Sequence, residues 1–119
     1  MCYIKHMSRK NILTSTPPYA VEKALKRLGA NLRTARLRRN LTIEDVAGKI
    51  GTGRRAVMDA EKGKGSTSSA VYIALLWAYG LLDQIHDVAD PALDEEGLTL
   101  SLTKDRARAR TRKGLDNEF

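Results

Sequence analysis

The sequence predicts an all-α domain of five helices, and three observations carry that prediction. Apolar residues recur at spacings close to 3 and 4 from Val21 to Leu37. Glycines and capping residues then cut the chain into short amphipathic pieces, and Val71–Tyr79 is apolar nearly all round, as a helix at the centre of a bundle must be.

The elements follow in order. Residues 1–19 are polar and end in Thr14-Ser15-Thr16-Pro17-Pro18, which reads as an N-terminal arm or linker. Val21, Leu25, Leu28, Leu32, Ala35 and Leu37, with Lys and Arg between them, predict a long first helix with a kink expected near Gly29. Thr42 and Asp45 have capping-box spacing ahead of a helix Ile43–Ile50. Gly51 supplies a turn, Thr52 or Gly53 caps Arg54–Lys62, and Gly63 stops it. A polar loop ending in a serine cap precedes the apolar helix, where Trp77 and Tyr79 are expected in the core. Leu81, Leu82, Ile85 and Val88 predict a short fifth helix before Asp90-Pro91. From Leu98 to Thr103 apolar and polar residues alternate, which predicts a short strand or else the start of a charged helix. The expected domain is 20–90, followed by 91–119 as an acidic linker, the strand-like segment and a basic tail.

The chain has 119 residues, 42% hydrophobic and 29% charged, with net charge +7. Charge is segmented: residues 23–64 hold 12 basic and 4 acidic side chains, 65–81 none, and 82–98 hold 6 acidic and no Lys or Arg. A basic segment beside an apolar one suggests a surface facing a polyanion, nucleic acid first, although a solvated basic surface has the same composition. Cys2 is alone and His6 and His86 lie far apart, so neither a disulfide nor a metal site is expected. No apolar run reaches the roughly 20 residues that cross a bilayer, and residues 1–7 are too polar for a signal peptide. A cytoplasmic protein is expected, and Met7 is an alternative start. The acidic residues Asp83, Asp87, Asp90, Asp94, Glu95 and Glu96 lack calcium-loop spacing and an apolar wall to raise a carboxylate pKa. Gly63-Lys64-Gly65-Ser66 lacks the full phosphate-loop frame, so no enzyme and no cofactor is expected.

Two short helices joined across Gly51 have the form of a helix-turn-helix. The run Leu41-Thr42-Ile43-Glu44-Asp45-Val46-Ala47-Gly48-Lys49-Ile50-Gly51, with Val57 and Glu61-Lys62-Gly63, resembles the xenobiotic-response-element or phage-repressor type, a lambda-repressor-like domain, over about residues 25–88. The resemblance implies a DNA-binding repressor acting as a homodimer on an inverted-repeat operator. It implies a scaffold pair between Arg36 and Glu61, and a recognition helix whose first residues face the major groove. Those are Gly53, Arg54 and Arg55, with Met58 and Asp59 one turn on. Arginine forks onto guanine O6 and N7, so Arg54 and Arg55 are the expected readers of bases. Asp59 either accepts from cytosine or holds Arg55. Thr42, Gly53, Lys62, Lys64 and Ser66 match positions that touch phosphate, and Gly53 departs from the polar residue usual there.

Leu81, Leu82, Ile85, Val88, Leu98, Leu100 and Leu102 are more apolar surface than a small monomer usually exposes, and are the expected dimer interface. A compact domain with a strand-like segment and charged tail is similar to HipB-type antitoxins, which implies a HipA-type kinase toxin as partner. The alternatives are a stand-alone repressor, or an interaction module for proteins only.

Overall fold

The computed structural model describes residues 11–117, with side chains to Thr111. The expectations about Cys2, His6 and Met7, and the side chains of the end of the tail, lie outside them. The helices are α1 (Ile12–Ser15), α2 (Tyr19–Arg38), α3 (Ile43–Ile50), α4 (Arg54–Glu61), α5 (Ser69–Ala78) and α6 (Glu95–Asn117), with 3-10 turns at Leu82–Asp87 and Pro91–Leu93. The described residues contain no strand. They divide into two compact units, one running to Asp83 and one beginning at Gln84.

The first unit holds α1 to α5. Its core is Leu32 and Ala35 of α2, Val46 and Ala47 of α3, Val57 and Ala60 of α4, and Tyr72, Leu75, Leu76, Ala78 and Tyr79 of or beside α5. Alanine at 47 and 60 lets the short helices approach closely, while Leu32, Val46, Val57 and Leu75 fill the centre. α2 is one continuous helix, ended by Asn40 in the left-handed region at φ 54°, which Asn tolerates better than most residues. The Thr42 hydroxyl accepts from the Asp45 amide and the Asp45 carboxylate accepts from the Thr42 amide, so the capping box is complete. Hydrogen bonding from Thr42, its backbone amide first, holds the exposed Asp45 carboxyl below its ordinary pKa. Gly51, at φ 80°, closes α3 and turns the chain into α4.

Gly29 plays a different part from the kink expected of it. It is buried where α2 meets the end of α4, and a Cβ there would lie 2.5 Å from the Ala60 carbonyl oxygen and 2.8 Å from the Gly63 nitrogen. Gly63 answers from the other side: its φ is 71°, and a Cβ on it would lie 2.5 Å from the Leu25 carbonyl oxygen. Two backbones thus meet without side chains between them.

Several expectations about the apolar residues fail, Val21 being exposed among them. Trp77 is 54% exposed instead of core, because α5 is apolar all round and can turn only one face inward; Lys49 Nζ lies 5.7 Å from its ring centroid. Leu37 is exposed as well, since Leu32, Ala35 and Arg36 define the inward stripe of α2. The fifth helix is a 3-10 turn in which Leu82 and Ile85 are half-buried, with Leu81 half-buried before it and Val88 exposed after it.

The second unit is built around α6. The expected strand over Leu98–Thr103 is instead part of this helix, and Leu98, Leu100 and Leu102 are exposed on it. A lone strand would leave its backbone donors and acceptors unpaired, whereas a helix satisfies them within the segment. Helical geometry also breaks the single apolar face, because Leu100 falls about 200° round from Leu98 at 100° per residue. Glu95 and Glu96 lie in the first turn, where acidic side chains suit the helix dipole.

Gly29→Ala tests the backbone contact. Alanine is the better helix former by about 1 kcal/mol, so any net loss understates the steric cost by about that amount. We expect a lower thermal midpoint, with a loss of about 1–3 kcal/mol; an unchanged or raised midpoint in a melt followed by circular dichroism contradicts the close approach.

Candidate nucleic-acid interface

The candidate recognition surface is held in place from behind. Arg36, 7% exposed, donates from Nε to Glu61 Oε2 at 2.7 Å, from Nη2 to Glu61 Oε1 at 3.0 Å, and from Nη1 to the Leu41 carbonyl at 2.9 Å. One guanidinium therefore joins α2, the loop before α3 and the last residue of α4. The hydrogen-bonded Glu61 carboxylate raises the Arg36 pKa against the opposing effect of burial. Behind the pair stands Tyr79, whose hydroxyl pKa is pushed up to about 12 by burial and then by the negative charge of Glu61. Its buried hydroxyl has no hydrogen-bond partner among the described residues, and Arg39 lies 5.7 Å from its ring centroid.

Two further bonds locate the helices around α4. Lys49 Nζ on α3 donates to the Ala78 carbonyl at 3.2 Å, meeting the C-terminal end of α5 where cations are favoured. The Tyr72 hydroxyl donates to the Lys64 carbonyl at 2.8 Å, tying α5 to the loop just past α4. Its pKa is raised, chiefly by burial.

On α4 itself, Val57 and Ala60 face inward, so at 100° per residue Arg55, Met58, Asp59 and Lys62 fall on the outward side. Arg54 and Arg55 are both exposed at its start. Arg54 Nη1 lies 3.3 Å from Glu44 Oε1, a pair whose side chains are 64% and 62% exposed and which is therefore weak. Arg55 has no ion-pair partner among the described residues. Gly53 caps α4 without a side-chain hydrogen bond, at φ −79° and with open space where a Cβ would stand. Nothing in the fold demands glycine there, and its effect is to leave the first amides of α4 uncovered.

Of the other expected contacts, Asp59 and Thr42 are less available. Asp59 Oδ1 is buried and lies 3.2 Å from Lys64 Nζ, off the hydrogen-bond direction, so this carboxylate is directed to Lys64 and not to Arg55. The Thr42 hydroxyl and amide are engaged in the capping box. Lys62 and Ser66 are exposed. Met58 is half-buried and looks onto a hollow of about 240 Å³ lined by Arg33, Arg36, Ile43, Glu61 and Lys62. Sequence reasoning missed Arg33, one of many cations on α2, and missed Gly29 and Gly63 as a contact. A glycine inside a strongly helical stretch was the available signal.

The described residues hold no group of His, Cys, Asp and Glu able to bind a metal ion, and no helix among them is long and apolar enough to cross a membrane.

Removing Arg36 leaves the enclosed Glu61 carboxylate without its partner, so Arg36→Met is expected to cost about 3 kcal/mol in a denaturant titration. Adding Glu61→Leu should recover most of that loss; no recovery means that the pair is not what Arg36 supplies. Tyr79 makes a prediction about alkali. Its folded pKa lies above the unfolded value near 10, so its contribution is complete below pH 10 and is lost as pH rises towards 12. Tyr79→Phe removes a partnerless hydroxyl, so it should match or exceed the wild type at neutral pH and resist alkaline unfolding longer. A lower neutral midpoint for Tyr79→Phe contradicts this environment.

A family model described as a helix-turn-helix domain matches residues 27–87, a stretch that takes in most of α2, all of α3 to α5 and the first 3-10 turn. Comparison with curated proteins and with solved structures found no match. The family match points to a DNA-binding regulator. On this match and on the α3–α4 geometry beneath it, the chain belongs to the helix-turn-helix domain family.

Proposed function

We propose that this protein is a sequence-specific transcriptional repressor that binds duplex DNA through α4 as a homodimer and catalyses no reaction. The observation that carries this reading is the exposed start of α4. Two arginines project there from a helix whose far end is pinned by Arg36. A rigid helix presenting guanidinium forks suits bidentate contacts to guanine in the major groove. Arg55 is the more direct reader because it has no ion pair among the described residues to give up, while Arg54 must leave Glu44. Uncovered α4 amides and the exposed Lys62 and Ser66 would meet phosphates on either side.

Dimerisation follows from area. One recognition helix buries too little for tight operator binding, and two half-sites about one DNA turn apart double the contacts. The exposed Leu98 and Leu102, four residues apart on one face of α6, remain candidates for that association. The antitoxin reading, with a HipA-type kinase as partner, drew on a strand-like segment that is helical here. The stand-alone repressor needs no such segment and is the reading adopted.

Selection of binding sites from a random duplex pool, followed by titration, tests the proposal. An inverted repeat should emerge, and Arg55→Ala should cost about 1–3 kcal/mol on it while losing little on random DNA. Equal losses on both would reject base readout, and a pool with no enriched repeat would reject sequence-specific binding.

A further inference from the structure

We infer that Arg33 and Lys62 form a two-pronged clamp for a backbone phosphate of the bound duplex, closing over the hollow between α2, α3 and α4. The inference rests on the DNA-binding reading and adds to it a site on α2, outside the recognition helix.

Arg33 stands on α2 and Lys62 just past α4, yet both line the same hollow of about 240 Å³. Both are exposed, and neither has an ion-pair partner among the described residues. The other charged lining groups are spent on each other: both oxygens of Glu61 accept from Arg36. Ile43 and Met58 complete the lining with apolar surface. Among the described residues the site therefore has two cations without ion pairs at its rim, a neutralised pair within it and no unpaired carboxylate. An anion there gains from both charges, and the apolar walls weaken solvent screening.

The position decides which anion. Met58 and Lys62 flank the outward side of α4, so a duplex lying against Arg55 brings its backbone past the hollow. A phosphodiester has the charge and size to seat between an arginine fork and an ammonium. Arg33 would then fix the angle at which α4 enters the groove without reading any base.

Anisotropy titrations of the full chain against a random-sequence duplex over a series of salt concentrations test this. Neutralising one phosphate contact lowers the slope of log K against log salt by about 0.9. Arg33→Gln should therefore reduce the slope by about that amount and weaken binding several-fold, equally on selected and random DNA. Arg33→Gln with Lys62→Gln should reduce it by about twice as much. Arg38→Gln serves as the charge-matched control, since Arg38 is exposed about 140° round α2 from Arg33; its slope should equal the wild type. Circular dichroism melts establish that the variants fold, as expected for exposed side chains. Wild-type binding with an unchanged slope for Arg33→Gln overturns the clamp alone, as does an equal drop for Arg38→Gln, which marks a net-charge effect. A wild-type chain with no affinity for any duplex overturns the clamp and the DNA-binding reading together.

Discussion

The arrangement of α4 depends on one guanidinium. Arg36 reaches from the middle of the inward stripe of α2 to both oxygens of Glu61 and to the Leu41 carbonyl, so three separate pieces of chain share a single planar group. An arginine can do this where a lysine cannot, because its donors leave in a rigid fork that matches a carboxylate on one side and a carbonyl on another. The arrangement is expensive to break, since an enclosed carboxylate would be left behind. It also orients: α4 carries its pinned residue at the C-terminal end and its exposed arginines at the start.

The pair works together with an approach that has no charge in it. Where Gly29 meets Ala60 and Gly63 meets Leu25, no side chain separates the backbones. Side-chain packing elsewhere could slide by a rotamer, but contact between backbones leaves little room for adjustment. A polar tether and a steric stop thus act on the same junction. Tyr72 and Lys49 add bonds to backbone carbonyls from the α5 side, so that each neighbour of α4 is itself located by a specific contact.

Rigidity behind the helix leaves its outward side free to be chemically varied. Arg55 has no ion-pair partner among the described residues, Arg54 is lightly held by Glu44, and Asp59 is turned to Lys64. The charges on this surface are graded in availability, and composition alone conveys none of that grading. Asp59 illustrates the point: Arg55 at i−4 was an eligible partner on the same helix, but the turn at Gly63 brings Lys64 to the carboxylate.

The order of helices α2 to α5 was legible in the residues because local rules act on local sequence. A capping box at Thr42 and Asp45, a left-handed glycine at 51 and an apolar repeat along α2 need no distant partner to take effect. Arg36 and Glu61 could be paired in advance only through the family resemblance. Other features lay beyond the sequence for definite reasons. Alternation over Leu98–Thr103 is ambiguous by itself, and the helix prevails because the segment has no second strand among the described residues to pair with. α5 is apolar on every side, so which of Trp77 and Tyr79 is buried depends on where α2, α3 and α4 stand. Gly29 has the same composition whether it kinks a helix or admits a neighbouring backbone, and only the neighbour's position decides. The sequence by itself determined where most helices of the first unit begin and end and which family they resemble. The tertiary structure alone decided which charges were spent on one another and which remained free, because ion pairing depends on distances between segments far apart in the chain.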